Sequence, residues 1–203
     1  MINYVTQSEL LYESFKYVIK HNKSNINGYH NTHHLLNVFQ FCCDAYEYLK
    51  LSKNDFITLG VAALFHDINH SGWKLSDFDN IMLSLEELKT FYDSYFDLFI
   101  KEQISIEEIV NLISLTEFPH KREPQSLLEK IIIDADMSSY YDSKWYFYII
   151  EGFLVQELGK THKEAIEQQI KFIENVKFHT DYGIKKHSEN KERILNELYK
   201  LKI

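Results

Sequence analysis

The sequence predicts an all-α protein, on three observations. Only 2 Pro and 6 Gly punctuate 203 residues, too few breaks for the many turns of a sheet protein. Apolar residues recur at helical spacing in one segment after another. Ser or Thr with Glu three positions later precedes several of those segments, which marks capped helix starts. Hydrophobic residues make up 45% of the chain and aromatic residues 15%, ample for a packed core and incompatible with bulk disorder. The expectation is one compact helical bundle over residues 1–203.

Taken in order, Thr6-Gln7-Ser8-Glu9 reads as a capping box before Leu10, Leu11, Tyr12, Phe15, Val18 and Ile19 at helical spacing. Lys23 to Gly28 is polar and reads as a loop. A second helix begins near Asn31 or Thr32 and carries Leu35, Leu36, Val38, Phe39 and Cys42. Ser52 and Asp55 suit the start of a third, which runs through an apolar stretch to the pair His66-Asp67. Ser71 to Asp79 is a loop containing Trp73, and Asn80 to Gln103 is a long helix. Ser105-Ile106-Glu107-Glu108 is another capping box, and Pro119 and Pro124 bracket the basic loop His120-Lys121-Arg122. Leu127 to Tyr140 reads as a buried helix despite the triplet Ile131-Ile132-Ile133. The aromatic segment Trp145 to Leu158 stops at Gly159, and Thr161-His162-Lys163-Glu164 caps a helix through Val176. A charged helix, Lys185 to Lys200, closes the chain.

Composition narrows the function. The formal charge is −8, from 30 acidic and 22 basic residues. That sign repels a polyanion, so duplex nucleic acid is not an expected partner. A small anionic substrate is compatible if a bound metal reverses the local sign. Cys42 and Cys43 are neighbours and cannot close a useful disulfide loop. No run approaches ~18 apolar residues, so no membrane span is expected. Met1-Ile2-Asn3-Tyr4 lacks the basic start of a signal peptide. The cytoplasm is the expected compartment.

Three stretches carry metal-binding chemistry. Ala62-Ala63-Leu64-Phe65 delivers His66 and Asp67, with His70 four positions after the first histidine. Imidazole beside carboxylate suits a divalent cation, and an acid following an apolar run needs a partner. The alternative is an Asp capping a neighbouring element, with His66 a satisfied core residue. Upstream, His30 and His34 lie four apart at a helix start, so both can face one way. The plain alternative is a set of histidines on a polar helix end. Downstream, Asp134 and Asp136 follow the Ile triplet, and either could be a simple helix-end acid.

These motifs resemble the HD phosphohydrolase superfamily. Within it they resemble the class I 3′,5′-cyclic nucleotide phosphodiesterase catalytic domain, from about residue 29 to 176. Tyr29-His30-Asn31-Thr32-His33-His34 is similar to that family's Y-H-N-x-x-H. His66-Asp67-Ile68-Asn69-His70-Ser71-Gly72 is similar to H-D-x-x-H-x-G. Leu115-Thr116-Glu117-Phe118-Pro119-His120 is an imperfect A-T-D-x-x-x-H, Asp134-Ala135-Asp136-Met137-Ser138 resembles A-D-x-S, and Gln169-Ile170-Lys171-Phe172 resembles Q-x-x-F. The resemblance implies a helical bundle of the HD type and two divalent metals, Zn²⁺, Mn²⁺, Mg²⁺ or Fe²⁺. It implies His34, His66, Asp67 and Asp136 as ligands, with Asp67 bridging. It further implies His30 as general acid, His70 facing the phosphate, and Tyr29, Gln169 and Phe172 on the substrate side.

The activity so implied is hydrolysis of a cyclic nucleotide to its 5′-monophosphate by a hydroxide activated between the metals, with a small nucleotide as partner. The chain departs from the family pattern at Asn37, at Leu75, and at Glu87-Leu88, where the family carries His-His. Smaller bacterial HD proteins share the Y-H-N, the H-D and a D-N like Asp79-Asn80. Two alternatives therefore stand beside the first reading: hydrolysis of another nucleotide or oligonucleotide, and nucleotide binding without turnover.

Overall fold

Helix α4, Lys53–Phe65, is the axis of the molecule. Every residue from Phe56 to Phe65 is buried, because α2 (Glu9–His21), α3 (Thr32–Leu49), α5 (Asp77–Glu102), α6 (Ile106–Leu115) and α7 (Leu127–Asp136) all pack around it. A helix apolar on all sides has no other stable place. The computed structural model describes residues 2–141 and 144–202, which are 77% helical with no strand. The all-α expectation holds. Among the described residues, no helix is long and apolar enough to cross a membrane.

The buried side chains form two clusters. The larger is built by α2 to α7 around α4, with Tyr182 added from α9 (Asp181–Leu201). The smaller gathers Tyr140, Trp145, Ile150, Leu154, Ile170 and Ile194. It joins a π-helix, Tyr146–Glu157, to α8 (His162–Asn175) and α9.

Several boundaries differ from the sequence reading. A short helix, Ile2–Val5, precedes the first cap; we label it α1. Ser8, and not Thr6, caps α2. The carboxylate of Glu102, reaching from α5, accepts from the Ser8 hydroxyl (2.5 Å) and the Leu10 N–H (3.0 Å), so the box partner comes from another helix. Ser76 accepts from the Asp79 N–H and starts α5 three residues before Asn80. α7 stops at Asp136 and tightens into a 3₁₀ turn, Met137–Tyr141. There the Ser138 hydroxyl donates to the Ala135 carbonyl (2.6 Å) and competes with the helical ladder.

α8 ends at Asn175, with Val176 as its cap. α9 begins at Asp181 because Thr180 caps it, accepting from the Gly183 N–H (2.9 Å) while donating to Asp134 (2.6 Å). The aromatic segment is a π-helix, a form that recurs at functional sites. Gly152 lets it lie against the Gly28 loop. A Cβ on Gly152 would sit 2.4 Å from the Gly28 carbonyl oxygen, so only glycine permits this approach.

Candidate metal centre

His66 and Asp67 emerge where α4 ends, with the His66 N–H closing the last turn on Ala62. The His66 ring donates from Nδ1 to the Ala63 carbonyl (2.8 Å), which leaves the Nε2 lone pair free and fixes the ring. His34 arrives from the first turn of α3, where Asn31 is the cap. Asp136 arrives at the last position of α7. The four meet in one place. His34 Nε2 lies 3.1 Å from His66 Nε2, 3.2 Å from Asp67 Oδ2 and 3.3 Å from Asp136 Oδ1. His66 Nε2 lies 3.4 Å from Asp67 Oδ2 and 3.5 Å from Asp136 Oδ1. A cation with bonds of ~2.1 Å has ligand–ligand edges of about 3.0 Å when octahedral and about 3.4 Å when tetrahedral. The donor set and its spacing fit a divalent ion, and these four side chains could hold one.

Electrostatics agree with that fit. Burial pulls the two imidazoles down and the two carboxylates up, yet the pairing wins in every case. His34 is raised by Asp136 and Asp67, and His66 is held well above the usual range by Asp67 and Asp136. Asp67 is held well below it by His66, His70 and His34, and Asp136 falls likewise beside His34 and His66. Three buried groups and the half-buried Asp136 balance one another's charge here, and a cation would take the place of the protons they share.

His30 stands beside this group, with its Nε2 4.0 Å from Asp67 Oδ2. Its Nδ1 lies 2.5 Å from Glu157 Oε2, and Glu157 Oε1 accepts from the N–H groups of Tyr29 (2.6 Å) and His30 (2.9 Å). Glu157 is buried at the end of the π-helix. Burial raises its carboxyl, but His30 and the two N–H groups bring it below the ordinary value. The His70 ring stacks on His30, with centroids 3.8 Å apart. His70 Nδ1 accepts from the Gly72 N–H (3.0 Å), so the neutral ring carries its proton on Nε2. Burial pushes the His70 pKa down to about 4. Gly72 has φ +70°, a left-handed conformation that glycine adopts without strain.

A cavity of about 510 Å³ opens over these groups. Tyr29, His30, Asp67, His70, Asp136, Gln169 and Phe172 all line it. The Tyr29 hydroxyl donates to Ser139 (2.7 Å), whose oxygen lies 3.4 Å from His34 Nδ1. Gln169 is buried, and its Nε2 has no hydrogen-bond partner in the protein.

Other candidate residues go elsewhere. Asp134 is buried away from the cluster and accepts from the His179 and Thr180 N–H groups at the start of α9. His33 stacks on Tyr148 and bonds to Asn37. His120 bonds to the Leu115 carbonyl, Lys121 pairs with Glu117, and Arg122 pairs with Glu129. Trp145 packs in the smaller cluster and donates to Glu197 (3.0 Å). His187 is half-buried, stacked on Phe178 and bonded to Tyr140.

Sequence reasoning missed Glu157, Ser139 and a polar network that holds the His66–His70 turn. Asn69 sits at φ +62° in that turn. It accepts from the Lys23 N–H (2.8 Å), donates its own N–H to Asn22 (3.0 Å) and its side-chain amide to Glu87 (2.8 Å). Tyr17 donates to the other Glu87 oxygen (2.6 Å). Glu157 had a signal, since it too is an acid at the end of an apolar run; Asn69 had none. Neither the protein-family models nor the curated proteins contain a match to this chain.

Proposed function

We propose that this chain is a metal-dependent phosphodiesterase of the HD type, acting on a nucleotide, with a 3′,5′-cyclic nucleotide as substrate. The observation that carries the reading is the convergence of His34, His66, Asp67 and Asp136 at ligand spacing, with His30 beside them at the wall of a cavity. His34, His66, Asp67 and Asp136 would hold divalent metal there, which when bound would supply Lewis acidity toward the phosphate and a nucleophile at neutral pH.

The residues of the chain do the rest. His30 delivers a proton from Nε2 to the departing oxygen, while Glu157 on Nδ1 holds the ring in line. His70, uncharged at neutral pH, donates from Nε2 to a phosphate oxygen. Tyr29 fixes the loop that carries His30 through its N–H and hydroxyl. The free Gln169 amide meets the polar edge of the base, and Phe172 offers a ring beside it.

The test is His30→Ala, assayed with Mn²⁺ on cyclic AMP and cyclic GMP alongside metal analysis. Turnover to 5′-AMP or 5′-GMP falls ~10²–10⁴-fold while metal content stays level. Full activity in that variant refutes the acid role. Silence on cyclic nucleotides with release of phosphate from deoxynucleotide monophosphates moves the protein to the nucleotidase reading. Tight cyclic nucleotide binding by the metal-replete protein without turnover moves it to the sensor reading.

A further inference from the structure

His30 and His70 reach the cavity on two separate stretches of chain. His30 lies on the loop that precedes α3, and His70 on the turn that follows α4. Their rings nevertheless stack, with centroids 3.8 Å apart and planes 17° from parallel. Contact between two rings does not fix two loops, so the backbones need a tie.

Asn27 is that tie. Its N–H closes the 3₁₀ turn Ser24–Ile26 on the Ser24 carbonyl (2.9 Å), which sets its own backbone. Its side-chain Nδ2 donates to the His70 carbonyl (2.7 Å) and to the His30 carbonyl (3.1 Å). The Asn27 carbonyl accepts from the Asn31 amide (2.9 Å), and Asn31 caps α3. One nitrogen therefore bridges the main chains of both histidines. The bridge demands a primary amide. Carbonyls offer only lone pairs, and among short neutral side chains asparagine alone puts two protons on one atom. The reverse amide orientation would set Oδ1 against both carbonyl oxygens, so the hydrogen-bond network determines the orientation. Neighbouring contacts act elsewhere. Asn69 ties the same turn to Asn22 and Lys23, earlier in the loop, and Glu157 bonds to the His30 ring itself.

We propose that Asn27 is a positioning residue that sets the His30–His70 pair in register, so that one ring faces the departing oxygen while the other faces a phosphate oxygen. This rests on the phosphodiesterase reading above. Misplacement of such a pair by about 1 Å costs ~10²-fold in rate. The cost falls hardest where the leaving oxygen needs a proton. The 3′ oxygen of cyclic AMP leaves as an alkoxide and needs one; p-nitrophenolate leaves without it.

The test compares the wild type, Asn27→Asp and Asn27→Ala. Asn27→Asp keeps the size and shape and turns a carboxylate toward two carbonyls. Asn27→Ala removes the bridge without adding charge, and it carries the same comparison if the carboxylate prevents folding. Metal-free protein labelled in histidine is read first by NMR. The ring protons of His30 and His70, shifted upfield by mutual stacking, move toward ordinary positions in the variants, while those of the exposed His162 stay in place. kcat is then measured with Mn²⁺ on cyclic AMP and on bis(p-nitrophenyl) phosphate. The loss is ~10²-fold on cyclic AMP and below ~10-fold on the nitrophenyl ester, at level metal content. Unmoved His30 and His70 resonances overturn the inference, and so does an equal loss on both substrates; either leaves the phosphodiesterase reading in place. A wild type that turns over only the nitrophenyl ester also overturns it, because no proton delivery is then in play. Silence of the wild type on both diesters overturns both readings.

Discussion

Removing metal tests the centre most directly. Two imidazoles and two carboxylates lie 3.1–3.5 Å apart, the histidines buried and Asp136 partly open to the cavity. The unfolded chain gathers no such set, so a cation at this centre binds the folded state alone and stabilises it by mass action. At a metal concentration one hundred times its Kd the gain is ~2.7 kcal/mol, and for a chain of this size each kcal/mol moves Tm by ~2–4 °C. Protein stripped with chelator and then titrated with Mn²⁺, Zn²⁺ or Mg²⁺ gains about 5–11 °C in a thermal melt at that ratio. Asp136→Asn, whose side chain is 17% exposed and tolerates the change, loses most of the shift. His66→Ala abolishes it. A wild type indifferent to all three metals at millimolar concentration refutes the reasoning, and so does an Asp136→Asn variant that shifts as the wild type does.

Three further outcomes follow from particular contacts. Gly152→Ala forces a Cβ to within 2.4 Å of the Gly28 carbonyl. It costs ~1–3 kcal/mol in a denaturant titration and lowers turnover more than metal content. Asn69→Ala loses two side-chain hydrogen bonds and a favoured left-handed residue; metal affinity by competitive chelation falls ~10–100-fold, as for other supports of metal ligands. Glu129 is held well below the usual carboxylate range by Arg122, against the pull of burial, with help from Gln125, Asn111 and Ser126. Its stabilisation is present above the unfolded value of about 4.3 and fades as pH falls below it, so wild type and Glu129→Gln differ most at neutral pH and converge in acid.

The sequence exposed the fold well where the signal was periodic. Ser52, Ser105 and Thr161 cap their helices as the pattern indicates, and the unbroken apolar run of α4 marked the central helix. It failed where a partner lay far along the chain. The α2 cap is completed by Glu102, more than ninety residues away, and α9 starts early because Asp134 receives Thr180. The π-helix was invisible because its composition is that of any buried helix; its course depends on Gly28, which no local window contains. At the site, His66, Asp67 and Asp136 were readable because each is a polar residue placed where an apolar element ends, and His34 because it lies four positions after His30 at a helix start. Asp134 met the same criterion and does something else. Only coordinates separate an acid that faces a cluster from one that caps a helix two residues earlier.

The two hydrophobic clusters divide the labour at this centre. The side chains that could hold metal come from α3, α4 and α7, all members of the larger cluster. The group that orients His30 comes from the π-helix, whose Ile149, Ile150 and Leu154 pack in the smaller one. Interior packing is close and transmits strain only through contiguous contacts. A perturbation of the π-helix reaches His30 through Glu157 and Phe153 and reaches His34 through Tyr29, while His66 is anchored on the other side by Ala63. On the proposed function, substitutions in the smaller cluster are expected to lower turnover more than metal content, and substitutions around α4 to lower both together.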